Sequence, residues 1–287
     1  MKKRAFTLIE LLVVIAIIAL LLSIIVPSLR TAKEYATGAA CLSNQKGLAV
    51  AWHLYQGEFD GFLVGGSTYS SGTRATPYRW VEQPMDNSKI PVSGPLITME
   101  YRLNGIRAGS LYPFTNSEKL YHCPNDKNMT NKTEPYATYR SYSISGLMNS
   151  EDFLTRQSNI YSPINSYRTA TFPGSGTKTL KVAVKFSDIK GPGNKYVFVE
   201  EDTAAKSQEW NYGGFVLMGG GDYWTWWDWP AFYHNDMSTL SFADGHGEKK
   251  RWQDQRTIKL MKGEITDRRQ EGNPDIIWMN QGYLPMQ

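Results

Sequence analysis

Residues 1–27 read MKKRAFTLIELLVVIAIIALLLSIIVP. Three basic residues open the chain, and from Phe6 to Val26 the only charge in 21 positions is Glu10. As a helix that run spans roughly 31 Å, enough to cross the hydrocarbon layer of a bilayer. The basic residues precede it, so the positive-inside rule holds the N-terminus in the cytoplasm and sends the remainder across. Secretory signal peptides have a shorter apolar region, about 7–15 residues, closed by small residues at a cleavage site. Here the run closes on SIIVP, Ser23 to Pro27. An ordinary signal anchor accounts for all of this except Glu10. A charge near the centre of a bilayer helix costs about 2.5–3.5 kcal/mol on insertion scales, so an unpaired carboxylate there would have to be protonated or snorkel to the interface.

The helical pattern does not stop at the membrane. Pro27 is expected to kink the helix without ending it. Leu29, Ala32, Ala36, Ala39, Leu42, Leu48, Ala51, Trp52 and Tyr55 recur with a period near 3.6, which predicts an amphipathic continuation over 27–56. Gly38 and Gly47 weaken it locally. A helix from Phe6 to Tyr55 would be about 75 Å long, with its first half in lipid and its second half packed on a globular body.

Beyond it, residues 57–140 are rich in Gly, Pro, Ser, Thr and Tyr and read as loops, turns and brief strands. HCPND (122–126) reads as a turn after a short strand, and 149–176 as an irregular insertion. TLKVAVKF (179–186) and KYVFVEE (195–201) flank the turn IKGPGN and predict a strand pair. TLSFADG and HGEKKRW predict another, joined across Asp244–Gly247, with Leu240 and Phe242 on one face and Ser241 and Ala243 on the other. The tail 263–287 reads as a surface appendage. The fold class is therefore α+β: one long N-terminal helix, transmembrane in its first half (6–26), packed on an antiparallel sheet in a body spanning 57–262, with loop-rich insertions.

Composition adds exclusions. At 287 residues with 41% hydrophobic and 20% charged content, the chain is no disordered polymer. Of 31 basic residues three are Lys2, Lys3 and Arg4, and setting them aside leaves 28 against 27 acidic ones. The net charge of +4 thus belongs mostly to the leader, and the body gives no sign of a nucleic-acid partner. Two cysteines without a CxxC speak against a zinc ribbon or a thioredoxin-like site.

The basic leader, the small residue Ala5 and then FTLIELL resemble the class III signal of type IV pilins and type II secretion pseudopilins. Pro27 stands where many pilins carry a proline, whereas Ala5 replaces the glycine usual before the cut. The resemblance implies a pilin-like fold, with a leader (1–5) removed between Ala5 and Phe6 by a prepilin peptidase that methylates the new amine. It also implies a role for Glu10: in a filament, its carboxylate can meet the Phe6 amine of a neighbouring subunit, replacing a lone buried charge by a pair.

A second pattern, His234-NDMSTLSFA-Asp244-Gly245, resembles the H-X9-DG signature of a prepilin-like family. CLSNQKGLAVAWHLY, HCPND, RSYSISGLMN and FSDIKGPGNKYVFVEE resemble other segments of that family in the same order. The name brings a fold and a location more readily than a mechanism. For the motif itself, a pinned hairpin with His234 hydrogen-bonded to Asp244 competes with a divalent-cation site, calcium for example. The cation site would draw on Glu200, Glu201, Asp202, His234, Asp244 and His246. No other cofactor is expected. In the periplasm, Cys41 and Cys123 could be tied as a disulfide. A His–Asp pair without a nucleophile is half a catalytic constellation, so no enzyme is expected.

DYWTWWDWPAFYH (222–234) carries four tryptophans within six positions. Core packing, protein contact and glycan stacking through Tyr223–Tyr233 remain open for it. The leading expectation is a prepilin-like structural subunit of a type II secretion pseudopilus or type IV pilus-like filament, in a minor or specialised role. It would sit single-pass in the inner membrane with its body in the periplasm, and its partners would be the peptidase and homologous subunits. The alternative is an anchored periplasmic or surface binding module for polysaccharide or protein.

Overall fold

A computed structural model describes residues 7–66, 79–92, 97–126, 139–149, 169–201, 214–218 and 221–286. Ala5, Phe6 and Asp202, with the leader, lie outside the described residues.

Helix α1 runs unbroken from Leu8 to Glu58, 51 residues, with Pro27 inside it. At 1.5 Å per residue its length is about 77 Å. Thr7 caps its start: the Thr7 hydroxyl oxygen accepts from the Glu10 amide at 3.3 Å, and the Glu10 carboxylate accepts from the Thr7 amide and hydroxyl at 2.9 and 2.8 Å. This reciprocal arrangement is the Thr-x-x-Glu capping box. Every described side chain from Leu8 to Lys33 is exposed.

The body is built on a four-stranded antiparallel sheet of order β1-β4-β5-β6, with β1 Tyr142–Ile144, β4 Tyr196–Glu200, β5 Met237–Phe242 and β6 Gly247–Arg251. A separate hairpin pairs β2 (Thr169–Phe172) with β3 (Gly176–Thr179). Short helices α2 (Met99–Arg107) and α3 (Tyr112–Thr115), then a 3-10 turn Glu118–Tyr121, fill part of the region read as loops. Helices α4 (Gln255–Met261) and α5 (Pro274–Tyr283) close the chain.

The sheet is buried on both faces. One face, with Val197, Phe198 and Ala243, meets Leu48, Trp52 and Tyr55 of α1 together with Trp80 and Tyr121. The other, with Val199, Leu240 and Phe242, meets Phe215, Trp226, Trp229, Met279 and Tyr283. Leu240 and Phe242 share a face opposite Ala243, as strand alternation requires.

Three expectations need correction. Residues 180–186 form no strand with β4, because β1 and β5 occupy both edges of β4. That segment instead makes single bridges, Ala183 to Met148 and Lys185 to Phe62. HCPND follows the 3-10 turn and not a strand. The tail is no appendage: α5 starts at the Asn273 cap, whose side chain accepts from the Asp275 and Ile276 amides, and it buries Ile276, Met279 and Tyr283 in the core. An Asn-Pro pair before an apolar run is a helix-start signal that was available in the sequence.

Candidate functional site

The second half of α1 meets the body through a narrow stripe. Gly38, Cys41, Gln45, Leu48, Trp52 and Tyr55 are buried, and they recur at intervals of three and four. This stripe differs from the apolar series read in the sequence. Leu29, Ala32, Ala36 and Ala39 are exposed, while a glycine, a cysteine and a glutamine take the inner face. Pattern reading that counts only apolar side chains misses such positions, because a polar group can be buried once it is hydrogen-bonded.

Strand β5 lies along that stripe, and three contacts set its register. At the entrance to β5, His234 packs on Gly38, where an added Cβ would stand 3.3 Å from the imidazole Cγ. Midway, the buried Gln45 amide donates to the Thr239 carbonyl and to its hydroxyl, each at 2.9 Å. Past the far end, Gly245, at φ +91°, sets the turn against His53, whose Nε2 would be 3.6 Å from an added Cβ. From position 38 to 53 the helix rises about 22 Å, close to the roughly 20 Å of a six-residue strand. The two ends of the H-X9-DG pattern thus seat β5 on α1 at two separated points.

At the first of these points four side chains from four stretches of chain converge. Cys41 comes from α1, Cys123 from the 122–126 turn, Glu200 from the end of β4 and His234 from the segment entering β5. Their ligand atoms all lie within 4.8 Å of one another, and all four residues are buried. His234 Nε2 is 3.4 Å from Cys123 Sγ and 3.1 Å from Glu200 Oε1. The other Glu200 oxygen accepts from the Thr239 amide and hydroxyl, both at 3.2 Å. The Asn125 amide donates to Cys123 Sγ at 3.4 Å.

The electrostatics follow from this packing. The hydrogen bond with Cys123 holds the Cys41 thiol below its ordinary value against the effect of burial. Burial drives the Cys123 thiol far up. Burial lowers His234, but hydrogen bonds to Cys41 and Glu200 outweigh it and raise the imidazole to about 10. Burial, then the charges of Cys41 and Glu200, push the Tyr142 phenol well above its usual range.

Comparison with known families gives one finding: residues 1–26 match the prokaryotic N-terminal methylation motif. The chain carries a prepilin-type signal. No curated protein and no solved structure matches the chain. The prepilin-type segment and the long exposed apolar helix are consistent with a membrane-anchored, pilin-like architecture, and they point to a structural protein.

Against this prepilin-type frame, several expected site residues move. His234 does not bond Asp244. The pattern that joins them contains the whole of β5, so they lie at opposite ends of a strand about 20 Å long. Asp244 instead accepts from the His246 ring and amide at an exposed hairpin tip. Glu201 accepts from Ser143 and not from the His234 group. Of the expected cation ligands among the described residues, Glu200 and His234 come together in the buried group, while Asp244 and His246 pair with each other at the hairpin tip. Cys41 and Cys123 are free thiols rather than a disulfide, with the imidazole and carboxylate closing the group around them.

The tryptophan-rich segment is mostly core. Trp226 and Trp229 are buried, and Trp226 Nε1 donates to Gln270 at 3.2 Å. Tyr223, Trp224 and Phe232 are half-buried against the same core, and Trp227 alone of the four tryptophans is exposed, at 45%. A single outward ring is not a stacking platform.

Proposed function

We propose that the chain is a prepilin-like structural subunit, cleaved between Ala5 and Phe6 by a prepilin peptidase, methylated on the new amine, and assembled through α1 with homologous pilin or pseudopilin subunits. The filament is a type II secretion pseudopilus or a type IV pilus-like fibre. Before extraction the subunit sits single-pass in the inner membrane, N-terminus cytoplasmic and body periplasmic. The observation that carries this reading is that one continuous helix has two regimes. From Leu8 to Lys33 it exposes every side chain, and from Gly38 onward it buries one stripe against the body. The exposed half needs lipid or neighbouring helices around it, and both environments are offered by a membrane and a filament core in turn.

Burial of most of the Trp-rich segment weighs against the alternative of an anchored glycan receptor. The body, with its insertions, would crowd a filament surface if every subunit carried it, which favours a minor or specialised role. Intact-mass measurement of the chain co-expressed with a prepilin peptidase tests the proposal. Loss of the first five residues and gain of one methyl group is expected. An uncleaved chain, or a cleaved chain never recovered in sheared filaments, would overturn it.

A further inference from the structure

The geometry points to a structural zinc site formed by Cys41 Sγ, Cys123 Sγ, His234 Nε2 and Glu200 Oε1. It does not depend on the proposed function, since it stands on the arrangement of four buried side chains.

Two of the edges fit a tetrahedron, and the widest separation, up to 4.8 Å, would close by about 1 Å on loading, since the longest edge, S···S, is about 3.8 Å. With Zn–S of about 2.3 Å and Zn–N and Zn–O of about 2.0–2.2 Å, the S···N edge is about 3.6 Å and the N···O edge about 3.4 Å. The corresponding separations here are 3.4 and 3.1 Å, with all four atoms inside 4.8 Å. The hydrogen bonding alone does not satisfy the group. His234 Nε2 faces both Cys123 Sγ and Glu200 Oε1, yet one ring nitrogen carries either one proton or one lone pair. A cation at the centre serves all of these atoms at once.

Donor type selects the metal. Two sulfurs and an imidazole suit zinc and not calcium, which takes oxygen ligands. The surroundings hold two of the donors, Glu200 and Cys123, while His234 Nδ1 is buried without a hydrogen-bond partner among the described residues. Glu200 is fixed by Thr239 through its second oxygen, and the Asn125 amide points at Cys123 Sγ. Such outer contacts orient ligands and stabilise thiolate. Gly38 lets α1 approach His234 closely enough to bring Cys41 into the group. All four residues are buried and supply four protein ligands, which leaves no open position for a substrate. The role is therefore a staple, fastening α1 to the 122–126 turn, to β4 and to the start of β5.

The test uses the full-length chain purified in detergent without chelator. Native mass spectrometry and elemental analysis are expected to give one zinc per chain. Both thiols should resist alkylation until a chelator removes the metal, and reductant should leave the metal-free mass unchanged. Exchange with cobalt should produce thiolate-to-metal charge-transfer absorption and the visible bands of a tetrahedral ion. Cys41→Ser, checked for folding by circular dichroism, should lose stoichiometric zinc and about half of the charge-transfer intensity on cobalt exchange. If that variant misfolds, the cobalt spectrum of the unsubstituted chain decides. A zinc-free chain lighter by two hydrogens would show a Cys41–Cys123 disulfide and overturn the site. So would a zinc-free chain whose two thiols alkylate freely.

Discussion

Gln45 on α1 donates to both the carbonyl and the hydroxyl oxygen of Thr239 on β5, at 2.9 Å each, inside a fully buried contact. This bond fixes where along the helix the sheet sits, because sliding either element would leave the carbonyl without its donor. Gln45→Ala should therefore destabilise the body by about 1–3 kcal/mol, the usual cost of a buried unsatisfied group. Denaturant unfolding of the detergent-solubilised chain measures it. An unchanged midpoint would show that the register is held elsewhere.

Glu10 carries two separable roles. In the described chain its carboxylate completes the capping box with Thr7; in a filament its charge is proposed to meet the Phe6 amine of a neighbour. Glutamine can cap equally well but has no charge. Glu10→Gln should therefore insert, be cleaved and remain helical, yet fail to enter filaments. Normal incorporation of this variant would sink the ion-pair role while leaving the signal intact.

Trp226 and Trp227 are adjacent in sequence and opposite in burial, 0% against 45% exposed. Trp226→Ala should cost about 3–5 kcal/mol, as expected for removing a buried indole. Trp227→Ala should stay within about 0.5 kcal/mol, as for a surface change. Thermal unfolding of the two variants side by side checks the contrast. A loss of partner binding in Trp227→Ala, with stability unchanged, would assign that ring to a contact.

Removing residues 263–287 should abolish cooperative unfolding of the body. Ile276, Met279 and Tyr283 are each at most 1% exposed. Burial of such side chains stabilises by about 1.5–3 kcal/mol apiece. Their sum is comparable with the whole stability of a typical domain, about 5–15 kcal/mol. A truncated chain that still unfolds cooperatively would restore the view of this tail as an appendage.

The candidate site was only partly legible in advance. His234 stands out in the sequence through the H-X9-DG pattern, and Glu200 as one of several carboxylates able to ligate a cation. Two cysteines met in sequence alone suggest a pair with each other, since nothing in their order shows the imidazole and carboxylate that join them. The H-X9-DG pattern sets Asp244 with His234, although the six residues of β5 intervene.

What the sequence determined by itself is the part governed by local rules. An apolar run of fixed length, its basic flank and the alternation along β5 follow from helix rise, membrane thickness and strand pleat. What only the tertiary structure decided is which residues face inward. Gly38, Cys41 and Gln45 displaced Ala36 and Ala39 from the buried stripe. β4 took β1 as its neighbour in place of residues 179–186. The reason is that burial is set by partners distant in sequence. Cys123 and His234 are 111 positions apart, and only the close approach of α1 to the sheet brings them together.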